Sequence, residues 1–232
     1  MTYLDLVQRL ARSIGITEPS TVSGQSDMAG RLVTWVADAD ELIQEEYSDW
    51  DFLQDEATIT TVASTREYSL ADIGVGVGDS DILASWDRET FIRDPSLSSH
   101  QKLTQIDYKE WLLGKKLGAV PTGTPSHFVI KKDGSVVLYP TPDAVHTVTA
   151  DYYKRPSRLS DDGDISVIPA HMHKVIVYRA KMFFAEYEQD TMLYQSASAD
   201  FNGAFDSLKA HSLPGLDTMS RASGVEMTVT PE

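Results

Sequence analysis

The sequence predicts an α+β fold: a helical bundle from N- and C-terminal helices, a central antiparallel β-rich insertion and an extended C-terminal tail. Three observations carry this. Apolar residues recur every three or four positions near both ends of the chain, the hydrophobic period falls to two in the middle, and strands are grouped instead of alternating with helices. The expected divisions are an N-terminal helix pair over 1–56, a β-rich insertion with a short helix over 57–168, C-terminal helices packing on the N-terminal pair over 169–211, and a tail over 212–232.

Thr2 followed by Asp5 has the form of a helix N-cap with an acidic first turn. Tyr3, Leu6 or Val7, Leu10 and Ile14 then recur at helical spacing until Gly15 stops the run. Thr17 to Asp27 is a loop by composition. A second helix is expected from Met28 to Tyr47, with Met28, Leu32, Trp35, Val36, Ala39, Leu42, Ile43 and Tyr47 as one buried stripe. Nine acidic residues and no basic ones lie between Asp38 and Glu56, which reads as a solvated helix face and its exit loop.

After Trp50 to Leu53 the period changes. `ATITTV` and `REYSL` read as two strands of a hairpin turning near Ala63-Ser64-Thr65. Gly74 to Asp81 is a loop, and Ile82 to Trp86 and Thr90 to Arg93 are further strand candidates. Asp107 to Gly118 reads as a short helix burying Trp111 and Leu112. Asp133-Gly134 between two apolar runs is a strong hairpin signal. Pro140 and Pro142 end its second strand, because proline cannot continue a ladder.

A strand follows from Thr147 to Tyr153, with Val148, Ala150 and Tyr152 on one face and His146 just outside as a surface residue. From Pro169 the chain is helical again, with a stripe of Met172, Ile176, Ala180, Phe183 and Tyr187. Asp190-Thr191 interrupts it. Leu193, Ala197, Phe201, Ala204, Phe205 and Leu208 continue the period. In the tail, Val225, Met227 and Val229 alternate with Glu226, Thr228 and Thr230, a half-buried strand pattern with no partner in its own domain.

The formal net charge of −15 argues against tight nucleic-acid binding, since affinity for a phosphate backbone comes largely from lysine and arginine. There are no cysteines, so disulfides and thiolate metal sites are excluded. No apolar run approaches the ~18 residues needed to cross a bilayer, so no membrane is expected. The amphipathic N-terminus with its early Asp5 does not fit a signal peptide, which implies a cytoplasmic chain at synthesis.

Catalytic patterns are weak. No G-x-S-x-G elbow occurs. His171 and His173, two apart at a helix start, point to different sides and not at a shared metal. `GVGVGD` lacks the spacing of a phosphate loop, and Asp161, Asp162 and Asp164 lack that of a calcium loop, so both read as turns. Tyr152 to Arg155 is the only aromatic-basic cluster of the kind that stacks single-stranded bases. No catalytic, cofactor-binding or metal-ligating residue is assigned, and no cofactor is expected.

Three segments, in order, resemble the head-to-tail adaptor (connector) proteins of short-tailed bacteriophages. The first is the helix pair closing on `YSDWDFL` and running into a `TIT` strand. The second is `GTPSHFVIKKDGSVVLYPTPD`, and the third is `VTADYYKRPSRLSDDGDISVIPAHMHKVIVYRA`. Together they span most of residues 30–210. The resemblance implies a structural virion protein in the neck between capsid and tail. It would form a homo-oligomeric, twelve-fold (dodecameric) ring that binds the portal protein and the tail nozzle or tail proteins. Double-stranded DNA would pass through the ring without specific binding. It also implies a C-terminal arm that reaches the portal, which makes Leu213, Leu216, Met219, Val225, Met227 and Val229 candidate portal or neighbour-subunit contacts. The competing reading is a carboxylate-dependent cell-wall polysaccharide hydrolase, motivated only by the 35 acidic residues. An acidic binding module for a basic partner is a third.

Overall fold

Thr2 opens the first helix as expected. Its hydroxyl accepts from the Asp5 N–H at 3.2 Å, and the Asp5 carboxylate accepts from the Thr2 N–H at 2.9 Å, so two orphan donors are satisfied reciprocally. Gly15 ends the helix at φ 75°, a left-handed conformation that costs glycine little. The computed structural model describes residues 1–76, 82–94, 100–114, 116 and 121–213. Its elements begin with α1 (Tyr3–Ile14) and α2 (Asp27–Glu45). There follow β1 (Gln54–Thr60), β2 (Glu67–Tyr68), α3 (Leu70–Ile73), β3 (Leu83–Trp86), β4 (Ile92–Arg93), β5 (Gln101–Lys102) and β6 (Thr104–Gln105). Next are α4 (Tyr108–Gly114), β7 (His127–Ile130), β8 (Val136–Tyr139) and β9 (Thr147–Lys154). Last come α5 (Lys174–Tyr187) and α6 (Thr191–Ser212).

The chain divides into two compact units, one from 1–52 with 156–213 and one from 53–155. In the first, α1 packs on α2 and α5, α2 packs on α5, and α5 packs on α6. α5 therefore touches three helices. It buries Val175, Ile176, Val177, Ala180, Met182 and Ala185, a wider face than the single expected stripe, while Tyr187 is 47% exposed. Asp190 breaks the two helices as its position suggests, accepting from the Leu193 N–H at 2.9 Å as the cap of α6.

On α2 the expected stripe holds at Leu32, Val36, Ala39 and Ile43 but not at Leu42, which is 40% exposed. Two polar residues take the interior instead: Asp40 and Gln44 are buried. Leu32, Val36, Asp40 and Gln44 are successive i, i+4 positions, so helix geometry carries them all to one face. The reading of the whole acidic run as a solvated face is thus corrected at Asp40.

The second unit holds two sheets. One runs β1-β9-β4-β5, with β3 also pairing to β9; the other runs β2-β8-β7-β6. The expected hairpin of `ATITTV` with `REYSL` does not form. β1 pairs antiparallel with β9 over Gln54↔Tyr153 to Thr60↔Thr147, and β2 pairs with β8, so the two segments lie in different sheets. The turn itself is present, with Ser64 at φ 67° and the Thr65 N–H bonded to the Val62 carbonyl. The Tyr68 hydroxyl braces it, accepting from the Val62 N–H and donating to the Thr65 carbonyl, while its arms pair with other strands.

The β7–β8 hairpin forms around Gly134 at φ 83°. A Cβ there would come within 2.7 Å of Leu83 Cδ2, so a side chain would strain the backbone and also require that leucine to shift. Between the sheets lie Ile59, Tyr68, Trp86, Phe91, Phe128, Val136, Leu138, Val148, Ala150 and Tyr152. Phe91 and Phe128 stack at 3.8 Å between centroids. On the other face of β7 and β8, Val129 and Val137 pack on Trp111 of α4 and on Ile106. Burial on both faces explains why β8 reads as an unbroken apolar run, and β9, with one face in the core, as an alternating one. β5, β6 and the parallel pairing of β6 with β7 had no counterpart among the expected elements.

Candidate functional site

Of the candidate tail contacts, Leu213 falls among the described residues. Leu213 follows α6, its N–H donating to the Lys209 carbonyl at 3.1 Å. Leu216, Met219, Val225, Met227 and Val229 lie outside the described residues.

The first unit has a polar interior centred on Asp40. The carboxylate accepts from the Ser166 hydroxyl and, at 2.8 Å, from Gln44 Nε2. Gln44 also bonds both ways with Ser157, donating to its carbonyl at 3.1 Å and accepting its N–H at 3.0 Å. Burial is the largest influence on Asp40 and pushes its pKa up to about 7, against the opposing pull of the Ser166 and Gln44 hydrogen bonds. A raised carboxyl pKa often marks a general acid. Here the side chain is fully enclosed and its oxygens are engaged within the protein, so it has no route to a substrate and pins 157–168 to α2.

The same segment is tied at its acidic turn. Asp164 accepts from the N–H groups of Ser160 and Asp161, and Asp162 accepts from the Val22 N–H and the Thr21 hydroxyl. These are turn and tether contacts. His173 is buried and bonded to the Ile168 carbonyl at 2.8 Å, with burial lowering its pKa, whereas the exposed His171 ring sits edge-on to His211. The two histidines do point apart. Among the described residues no group of three potential ligands gathers for a metal ion.

Outside this interior, α2, α5 and α6 present an aromatic and acidic face. Trp50, fully buried, donates its indole N–H to Ile43 at 3.1 Å and anchors Tyr47, Phe52 and Phe205 at 5.0–6.1 Å between centroids. Phe201 stacks on Phe205, Arg179 lies over Phe183 and Phe201, and Lys209 lies over Phe205. Leu42, Tyr47, Phe201, Phe205, Arg179 and Lys209, with Glu46, line a cleft of about 390 Å³. Arg158 bonds Asp38 and Glu41 on the α2 flank. Glu45, Glu46, Asp49 and Asp51 are exposed and make no ion pair among the described residues. Acids in the last turn of a helix oppose its dipole, so this run is unfavourable to α2 itself. The aromatic residues were legible as a stripe, but the cations laid over them were not.

The second unit has a cleft of about 730 Å³ whose charged lining is mostly cationic, with Asp133 as its acid. Leu70, Leu83 and Trp86 form apolar walls, and Arg88, Lys132 and Arg155 stand exposed around it. The Trp86 N–H is held by the Gly134 carbonyl at 2.8 Å, and Arg155 Nε donates to Leu83 at 3.1 Å. Arg88 and Lys132 form no ion pair among the described residues. Charge is divided unevenly: 21 acidic and 9 basic residues belong to 1–52 and 156–232, a net −12, against 14 and 11 in 53–155, a net −3.

Two other expectations resolve here. The Tyr152–Arg155 cluster is no stacking platform, because Tyr152 is buried against Trp86 at 5.7 Å and Lys154 pairs with Asp55. His146 is not a free surface residue either. Its side chain is 17% exposed and sits between Asp94 and Asp143 at 3.4 and 3.5 Å, because the Thr61 hydroxyl takes its backbone N–H and draws the loop inward.

Among the described residues no helix is long and apolar enough to cross a membrane. Among curated proteins no match is found. The family described as SU10 adaptor protein matches residues 1–227, nearly the whole chain. That span includes all three segments that resemble phage head-to-tail adaptors, and the family is one of structural proteins and not an enzyme class. On this match the chain belongs to the SU10 adaptor protein family.

Proposed function

We propose that the protein is a ring-forming adaptor in the neck of a bacteriophage particle, seated between the portal and the tail and surrounding the DNA exit channel. The observation that carries the reading is the family match over residues 1–227. Two physical features support it. The acidity of the helical unit offers few cations to a phosphate backbone, which suits a channel that DNA must slide through. The acid-rich end of α2 and the cation-rimmed cleft around Trp86 are different patches, of the kind that head-to-tail association in a ring joins. The apolar residues of the tail, from Leu213 to Val229, are the contacts proposed for the portal or a neighbouring subunit.

The test is to mix the purified protein with the portal protein of the same phage and follow the mass by light scattering, then image the complex by electron microscopy. A closed ring on the portal is expected. If no complex forms in any buffer with well-folded protein, the adaptor reading fails.

A further inference from the structure

We propose that the acidic aromatic face at the end of α2 is one half of a subunit interface whose other half is the cationic cleft of the second unit in a neighbouring copy. The proposal deepens the ring reading and rests on it. The occupant follows from charge. Glu45, Glu46, Asp49 and Asp51 form an exposed acidic run without ion pairs among the described residues, and Glu46 lines the same cleft as the Tyr47 and Phe205 rings. The cleft around Trp86 is the reverse: apolar walls rimmed by exposed Arg88, Lys132 and Arg155, two of them without an ion-pair partner among the described residues.

An acidic chain that keeps unpaired cations around an apolar cleft has, in its own copies, a partner of matching chemistry. Each surface combines apolar area, which supplies attraction, with an excess of one charge: acids outnumber Arg179 and Lys209 on the first, and Arg88, Lys131, Lys132 and Arg155 outnumber Asp133 on the second. The two patches are different, so the contact is heterologous: each copy uses both, the association propagates, and it closes when the rotation per copy permits. The α2 acids are unfavourable to their own helix, and a neighbour's cations would relieve that repulsion on assembly.

Charge exchange tests this. One variant carries Glu45→Lys with Glu46→Lys, and the other carries Arg88→Glu with Lys132→Glu. All four side chains are exposed, so the far-ultraviolet circular dichroism of each should match the wild type. Sedimentation velocity is run at low salt with rising concentration, up to about millimolar. The wild type should self-associate, and about 0.5 M salt should weaken that association by roughly tenfold or more. Each variant alone should be monomeric, since its two patches now share a sign. Mixed one to one they should recover association as alternating copies, because each altered patch meets an altered partner of opposite charge.

Variants that associate as the wild type does, or a mixture that stays monomeric, would overturn the interface while leaving the ring intact. A wild type that remains monomeric at low salt overturns it too, even if the acidic face takes up a basic tail or portal segment. Failure of the wild type to bind the portal as well brings down the ring reading itself.

Discussion

Replacing Asp40 by asparagine should remove a pH-dependent loss of stability from the helical unit. The carboxyl titrates near 3.8 in the unfolded chain and at about 7 in the folded one, where burial disfavours its charge. Between those values the unfolded chain has released a proton that the folded chain keeps. The unfolded state then binds fewer protons, so stability falls as pH rises through this window and is level below and above it. Three units at about 1.4 kcal/mol each place the loss at roughly 4 kcal/mol at most. The amide has no charge to bury at any pH, can donate to Ser166 and can accept from Gln44. Urea unfolding followed by helical circular dichroism, at about pH 4 and about pH 8, measures the effect. The stability of Asp40→Asn relative to wild type should improve by up to roughly 4 kcal/mol across that interval, equivalent to about 8–15 °C in Tm for a chain of this size. Any fixed cost of the substitution cancels in the comparison. If the gap between the two proteins is the same at both pH values, Asp40 is not the desolvated group described here.

Three further outcomes test the scaffold. Phe128→Ala removes one ring of the stacked Phe91–Phe128 pair, both fully buried, and should cost about 3–5 kcal/mol in chemical denaturation of the β-rich unit. Gly134→Ala places a side chain at φ 83° and against Leu83, so a loss of roughly 1–2 kcal/mol is expected; an unchanged melting curve would mean that the turn relaxes freely. Thr2→Ala deletes half of the reciprocal cap of α1 and should cost about 1 kcal/mol, recovered largely by Thr2→Ser, as thermal melts would show.

The elements most legible in the sequence were those whose cause is local. Thr2 and Asp5 sit three residues apart and cap a helix wherever it packs. Asp133-Gly134 closes its hairpin because the required left-handed backbone suits glycine. The Val148, Ala150, Tyr152 alternation follows from the two-residue repeat of a strand with one buried face. The failures were pairings. `ATITTV` and `REYSL` were joined because a turn lies between them, but a turn reverses a chain without choosing the strand that each arm will meet. β5 and β6, two residues each, are too short to carry a period at all.

By itself, then, the sequence determined the helix caps, the hairpin turn, the faces of β9, the absence of cysteine chemistry and the net acidity. Those depend on backbone stereochemistry over a few residues, or on composition alone. Only the tertiary structure decided that Asp40 leaves the acidic run for the core, where it meets Ser166, 126 positions away. Only it decided that Arg158 holds Asp38 and Glu41 while Glu45 and Glu46 remain open, and that Arg88, Lys132 and Arg155 gather around Trp86. Such partners come from distant stretches of the chain. Nothing local distinguishes a carboxylate that will be enclosed from one that will face a neighbour, because packing settles which charges leave water.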